Sequence, residues 1–507
     1  MLGSSGLERA RSLTLQNRCV MRRLCPSPAT IVVVTGLILV LGTGPALNAY
    51  SVLSHEAIID ALWEVEIEKL LLKRFPDATP DQLRRAHAYA YGGCLIQDMG
   101  YYPFGSHFFS NLVHYVRSGD FVESLIRQSQ DLNEYAFALG ALSHYSADNI
   151  GHPLAVNLSE PILYPELRAK YGKVVTYAED PKKHIMTEFG FDTIQIAAGV
   201  YAPNNYHDFI GFQVAKPVLE RAFKETYGLD IRDVLFDEDL ALSTYRHGAS
   251  KTIPHLTVVA WDLKRDQIEK LIPGITRRKF VYLLSNRQYE KEYGRRYRGR
   301  GLRDRARAYE ERVISASHTP GFKARFLAIL LSIFPRFGPL RALDFKPATP
   351  ATERMFLASL NVTREKYRHL LDEAGAGKLS LPNTDLDTGK PTAAGEYPLA
   401  DQTYASLLAR LRKDRFKNVT PELRANILSF FDHFDAARAA KNCPVCRQVP
   451  PELEEMKAAL AAPPSLSNLN VSPPRQPTDE QEVSPGATKP WTAGSALSGP
   501  QTGLPKF

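Results

Sequence analysis

The chain has 507 residues, 44% of them hydrophobic and 23% charged, with a formal net charge of +8. That balance excludes wholesale disorder and a fibrous protein, and it leaves enough apolar residues for a large core. The charge is local: residues 277–312 carry 13 basic and 5 acidic side chains, residues 1–49 add +4, and the rest sums to −4, which excludes a nucleic-acid-wrapping surface over the whole protein.

Residues 1–49 read as an export signal. Arg22 and Arg23 precede an apolar run at 31–41, and small residues follow up to Ala49. The run is short for a membrane span. Cleavage after Ala49 is the expectation, and an uncleaved anchor that tethers the protein to a membrane is the alternative. Met21 can serve as a start, because residues 1–20 add nothing a signal needs.

From there the apolar spacing is helical. Residues 56–75 place apolar side chains at i, i+3, i+4 and i+7, and 81–92, 121–128 and 133–148 do the same. No convincing run of alternating strand residues appears, so the chain is expected to be all-α. Seven of the thirteen histidines fall between residues 50 and 188. His55 opens the first helix, Asp98 ends an apolar helix before a turn, and His114 follows sixteen residues later. Each alone would more often be an ordinary cap or core residue.

The densest pattern is His144, Asp148 and His152, spaced i, i+4, i+8 at the end of the apolar stretch 135–142. On a helix these side chains share one face, with a drift of about 40° per step. Two imidazoles and a carboxylate on a buried helix need partners, and a divalent metal would supply them. His184 and Glu188 repeat the i, i+4 pairing. An isolated His-x-x-x-Glu is usually a solvated face; after the preceding triad it becomes a candidate for a second metal.

Beyond residue 200, Asn204, Asn205 and His207 make a polar cluster that reads as a loop. Residues 277–312 interleave arginines with tyrosines, a composition suited to nucleic acid, to an anionic lipid surface, or to a solvated helix with Glu–Arg pairs. Residues 323–337 form an apolar stretch framed by cations, by default a core helix and alternatively an interfacial element. Helical spacing resumes at 354–360, 364–371, 405–411 and 422–440, with a long Gly-, Pro-, Thr- and Asp-rich loop at 375–396. Cys443 and Cys446 have metal-knuckle spacing but no second pair follows, so a local disulfide is expected. Residues 447–507 read as a disordered, Pro-rich tail.

The order His, Asp, His, HxxxD, His, HxxxE resembles the zinc-dependent phospholipase C family, an all-α fold related to the S1/P1-type nucleases. The resemblance covers residues 50–188 and extends over helices to about 275, which makes 50–275 a catalytic domain and 276–446 a helical extension. It implies up to three zinc ions. Asp98, His114, His144 and Asp148 would hold one, and His152, His184 and Glu188 a second. The third would take His55, the other oxygen of Asp148, and the main-chain amine and carbonyl of Tyr50 once the signal is cut. In the family that first residue is usually Trp, but the binding atoms are main-chain. His107 competes with His114; His114 is preferred because His107 adjoins Gly105 and Ser106 in an expected loop. Asp98 would also orient or deprotonate the attacking water.

The expected protein is therefore an exported zinc phosphodiesterase that hydrolyses phospholipids and meets a membrane surface transiently, with no stable nucleic-acid partner. An S1/P1-like nuclease is the alternative with the same site. A non-catalytic helical metal-binding protein is the alternative outside it.

Overall fold

The computed structural model describes residues 52–192, 212–249, 253–271, 273–277, 345–432, 434–439, 441 and 443–461. The expected signal, Tyr50, the polar cluster at 204–207, almost all of the basic segment 277–312 and the apolar segment 323–337 lie outside these residues. The described residues fall almost wholly within the first of two units, Met1–Leu460 and Ala461–Phe507.

The architecture is all-α. In chain order the first helices are α1 (Val52–Leu62), a π turn (Trp63–Ile67), α2 (Glu68–Arg74) and α3 (Pro80–Gly93). A 3-10 turn (Ile96–Tyr101) leads to α4 (His107–Tyr115), α5 (Ser118–Gln128) and α6 (Leu132–Gly151). A second π turn (His152–Val156) precedes α7 (Asn157–Leu163), α8 (Pro165–Tyr171) and α9 (Pro181–Phe191). Then come α10 (Lys216–Tyr227), α11 (Ile231–Val234), α12 (Glu238–His247) and α13 (Ile253–Leu271).

Helix starts follow the local chemistry. Thr79 and Gln82 form a reciprocal capping box ahead of Pro80 in α3. The Asp131 side chain accepts from the amides of Asn133 and Glu134 at the start of α6. Helix α6 is apolar around most of its circumference, with Tyr135, Phe137, Leu139 and Leu142 all buried, because α3, α5 and an extension helix enclose it. Gly140 makes this possible: a Cβ there would stand 2.1 Å from the Ala90 carbonyl oxygen, so α3 and α6 touch through their backbones.

The extension begins with α14 (Pro350–Gly375), a single helix where the sequence suggests two at 354–360 and 364–371. It lies on α6, and buried Leu360 and Thr363 bridge the segment that reads as a break. The long loop that follows holds a minimal hairpin, β1 (Thr384–Asp385) paired antiparallel with β2 (Lys390–Pro391). After it come α15 (Pro398–Lys413), α16 (Pro421–Phe430) and α17 (Ala436–Ala439). Cys443 and Cys446 are joined in the expected local disulfide.

The chain expected to be tail from residue 447 instead continues as α18 (Val449–Ala461). Its prolines sit in the first turn, where no helical hydrogen bond is lost, and Val449 and Met456, seven residues apart, are buried in the core. One apolar cluster draws on α1 to α6 and on α14 to α18 alike. Among the described residues no helix is long and apolar enough to cross a membrane.

Candidate metal centre

Eight of the nine expected ligand residues lie within the described part of the chain, and all eight are buried, none more than 2% exposed. His55 comes from α1, Asp98 from the 3-10 turn, and His114 from α4. His144 and Asp148 sit on the last turns of α6, and His152 opens the π turn that extends it. His184 and Glu188 share a face of α9. Tyr50 is outside the described residues.

These side chains converge in three groups whose ligand atoms lie within 4.8 Å of one another: His55, His144 and Asp148; Asp98, His114 and His144; and His152, His184 and Glu188. Asp148 stands between the first two. Its Oδ1 is 3.5 Å from His55 Nε2, whereas its Oδ2 is 3.4 Å from His114 Nε2 and 3.1 Å from His144 Nε2. Asp98 Oδ1 is 3.5 Å from His114 Nε2. In the third group, Glu188 Oε1 is 3.3 Å from His152 Nε2 and 3.0 Å from His184 Nε2. The rings pack tightly, with His55 stacked on His144 at 4.5 Å and His152 edge-on to His184 at 5.1 Å.

The donor set fits zinc. Asp98 Oδ1 and both oxygens of Asp148 and of Glu188 are buried without a well-directed hydrogen bond, although imidazole nitrogens stand close by. Groups that point at a shared centre rather than at one another are what chelation of a common cation requires, and burying them otherwise is costly.

The electrostatics show the same tension. Burial opposes charge on His114, but the neighbouring Asp148 and Asp98 carboxylates outweigh it and hold the imidazole up at about 10. Burial likewise opposes charge on His184, and Glu188 and Glu160 bring it to about 10. Burial and the neighbouring His144 hold His55 well below the usual imidazole range. Burial raises the Asp98 carboxyl against the pull of His144 and His114. For Asp148 burial is overcome by the imidazoles around it, and its carboxyl lies well below the ordinary range.

The ring nitrogens that face away from the groups are also held. His114 Nδ1 is 2.8 Å from the Ser110 carbonyl oxygen, and His144 Nδ1 is 2.9 Å from that of Cys94. His184 Nδ1 faces Glu160 Oε2 at 3.3 Å without a well-directed hydrogen bond. His152 Nδ1 lies 3.0 Å from the Leu386 carbonyl oxygen and 3.2 Å from Asp387 Oδ1. Sequence reasoning missed Glu160 and Asp387. Glu160 sits in a short helix with no spaced partner, and Asp387 is in the long loop, where only the Asp-rich run 385–387 gives a signal.

Other histidines fall elsewhere. His107 is exposed at the first position of α4, where a loop is expected, and belongs to none of the three groups. His87 stacks on Trp63 at 3.8 Å and places Nε2 3.0 Å from Asp60 Oδ1. It contributes to none of the groups either.

Residues 54–236 match the family model described as zinc dependent phospholipase C. No curated protein and no solved structure matches the chain. The matched region contains all eight residues of the three groups, six between α1 and the second π turn and two on α9, in an all-α frame. Over residues 54–236, about a third of its length, this chain is similar to the zinc-dependent phospholipase C family.

Proposed function

We propose that the protein is an exported phospholipase C that cleaves the glycerol–phosphate bond of phospholipids to give a diacylglycerol and a phosphorylated head group. The observation that carries this reading is the position of Asp148, whose two oxygens face two different sets of imidazoles. A carboxylate in that place can bridge two cations and fix their spacing. Zinc, when bound, supplies neutralisation of the non-bridging phosphoryl oxygens and lowers the pKa of a coordinated water from 15.7 to about 7.

The chain's own residues divide the remaining work. Asp98, His114, His144 and Asp148 would hold one ion; His152, His184 and Glu188 a second; and His55, Asp148 and the main chain of Tyr50 the third. Asp98 is buried beside His114, and burial raises its carboxyl, so it is suited to orient the attacking water or accept its proton. Full burial of the imidazoles keeps bulk water from competing for the charged groups.

Export is part of the proposal. It rests on the Arg-flanked apolar run before Tyr50 and on the Cys443–Cys446 disulfide, a bond that persists in oxidising compartments. Contact with a membrane surface would be transient, as a lipid substrate requires. The test is zinc-loaded protein offered choline, ethanolamine and inositol phospholipids in liposomes, beside single-stranded nucleic acid. Release of phosphorylated head group from a liposome supports the reading. Cleavage of nucleic acid with no lipid turnover replaces it with a nuclease.

A further inference from the structure

We infer that Asp387, in the loop between α14 and α15, is a positioning residue for the His152–His184–Glu188 group, so that the C-terminal extension completes the metal centre. The inference rests on the reading of that group as a zinc site. Its foundation is a long-range contact: Asp387 and His152 meet although Asp387 lies well beyond the family match, which ends at residue 236.

A histidine ligand presents one ring nitrogen to the metal, and the hydrogen bond made by the other fixes its tautomer and orientation. His152 has Nδ1 between the Leu386 carbonyl oxygen and Asp387 Oδ1, at 3.0 and 3.2 Å. Both acceptors require the proton on Nδ1, which leaves the Nε2 lone pair facing Glu188 Oε1.

Asp387 is itself firmly held. Its Oδ2 accepts from the Tyr115 hydroxyl at 2.9 Å and from the Tyr397 hydroxyl. Its amide donates to Asp385 Oδ1 at 2.9 Å, and its carbonyl accepts from Asn157 Nδ2 at 2.7 Å. Asp387 as a whole is 3% exposed.

The same loop grips the other side of the centre. The Leu386 amide donates to the carbonyl oxygen of His114 at 3.2 Å. Ser118 and Thr384 exchange two hydrogen bonds, at 2.6 and 3.1 Å. Gly389, with φ of +69°, brings the backbone so close to α6 that a Cβ would stand 2.6 Å from the Asn149 carbonyl oxygen. The loop is thus fastened to α4 and α6, which carry ligand residues, and to the start of α5.

The third group differs from the others in its outer partners. His114 and His144 lean on neutral backbone carbonyls, whereas His152 and His184 each face a carboxylate, Asp387 and Glu160. An anionic partner makes an imidazole a stronger donor to a cation. Glu160 comes from inside the family match and Asp387 from outside it. Through Asp387 this group draws on the extension by a charged side chain.

The experiment measures zinc per chain and zinc affinity, by chelator competition, in the full-length mature protein and its Asp387→Asn, Asp387→Ala and Asp385→Asn variants. Asp385→Asn gives up the contact with the Thr388 hydroxyl but keeps an oxygen that can accept from the Asp387 amide, and it does not touch His152. Asp387→Asn should weaken one zinc about 10- to 100-fold and leave the others in place. Asp387→Ala should lose that zinc, and Asp385→Asn should lower thermal stability while keeping affinity near wild type. Cobalt loaded in place of zinc should show an altered visible spectrum in Asp387→Asn and Asp387→Ala but not in Asp385→Asn. Wild-type zinc affinity in Asp387→Asn overturns the inference and leaves the zinc reading standing. Wild-type protein that binds no zinc overturns both. If Asp387→Ala fails to fold, the near-isosteric Asn variant decides.

Discussion

Asp148→Asn keeps the size and shape of the side chain and removes one charge. The wild-type carboxylate has Oδ1 3.5 Å from His55 and Oδ2 3.4 and 3.1 Å from His114 and His144, with no solvent exposure. At an effective dielectric of about 20, a unit charge pair at such a distance is worth roughly 5 kcal/mol before desolvation is counted. Breaking a buried pair by neutralising one partner costs about 3–5 kcal/mol net. In the metal-free protein this corresponds to a fall in Tm of roughly 5–8 °C for a cooperative unit of about 300 residues. With zinc present the loss moves to affinity. Removing an outer hydrogen-bond partner of a ligand costs about 10- to 100-fold, and a ligand shared between two ions should cost at least the upper figure at each, about 2.7 kcal/mol per ion. The assay pairs zinc content after dialysis with the rate of head-group release from liposomes. Full zinc and near-normal turnover in Asp148→Asn would refute the bridging role and with it the clustered-metal reading.

Three further outcomes are expected. His87→Ala should keep turnover near wild type, because His87 lies on the Trp63 ring outside the three groups; lost stacking and the lost contact with Asp60 should appear only as a lower Tm. A mature chain starting at Tyr50 should bind one more zinc than the same chain with an added Met, since only a free α-amine at that position can ligate; equal zinc and equal rate in the two would remove the N-terminal ligand. The pH dependence should have opposite signs with and without metal. His114 and His184, held at about 10 against 6.5 for a free imidazole, stabilise the metal-free fold fully below pH 6.5, and that contribution is lost as pH rises toward 10. Zinc must displace those protons, so its affinity should rise from pH 6 to 9 with proton release measurable by calorimetry in buffers of different ionisation enthalpy. A flat affinity over that range would contradict it.

The parts of the centre that were legible in the sequence are those a helix encodes locally. His144 with Asp148, and His184 with Glu188, are four residues apart, and the helical period alone puts each pair on one face. The all-α architecture was legible for the same reason. Asp387 was not, because nothing periodic connects a loop residue to a histidine on a distant helix; the contact exists only through tertiary packing. The helix Val449–Ala461 was hidden because the tail reading rested on the prolines from Pro463 onward and reached back to residue 447; Pro450 and Pro451 occupy the helix's first turn. Residues 350–375 read as two helices because Asn361, Val362 and Thr363 are weak helix formers, yet burial of Thr363 beneath the packed helix carries the turn through.

The contact between His152 and Leu386 spans 234 residues of sequence. A ribosome adding 5–20 residues per second needs roughly 12 to 47 seconds to traverse that interval. Once Glu188 has been added, the nascent chain carries every described ligand side chain, but the carbonyl and carboxylate that steady His152 have not yet been synthesised. Biosynthesis therefore separates the appearance of the ligands from the completion of their setting. Zinc that arrives early would meet an imidazole free to choose either tautomer, and the order of synthesis defers the finished centre to the last quarter of the chain.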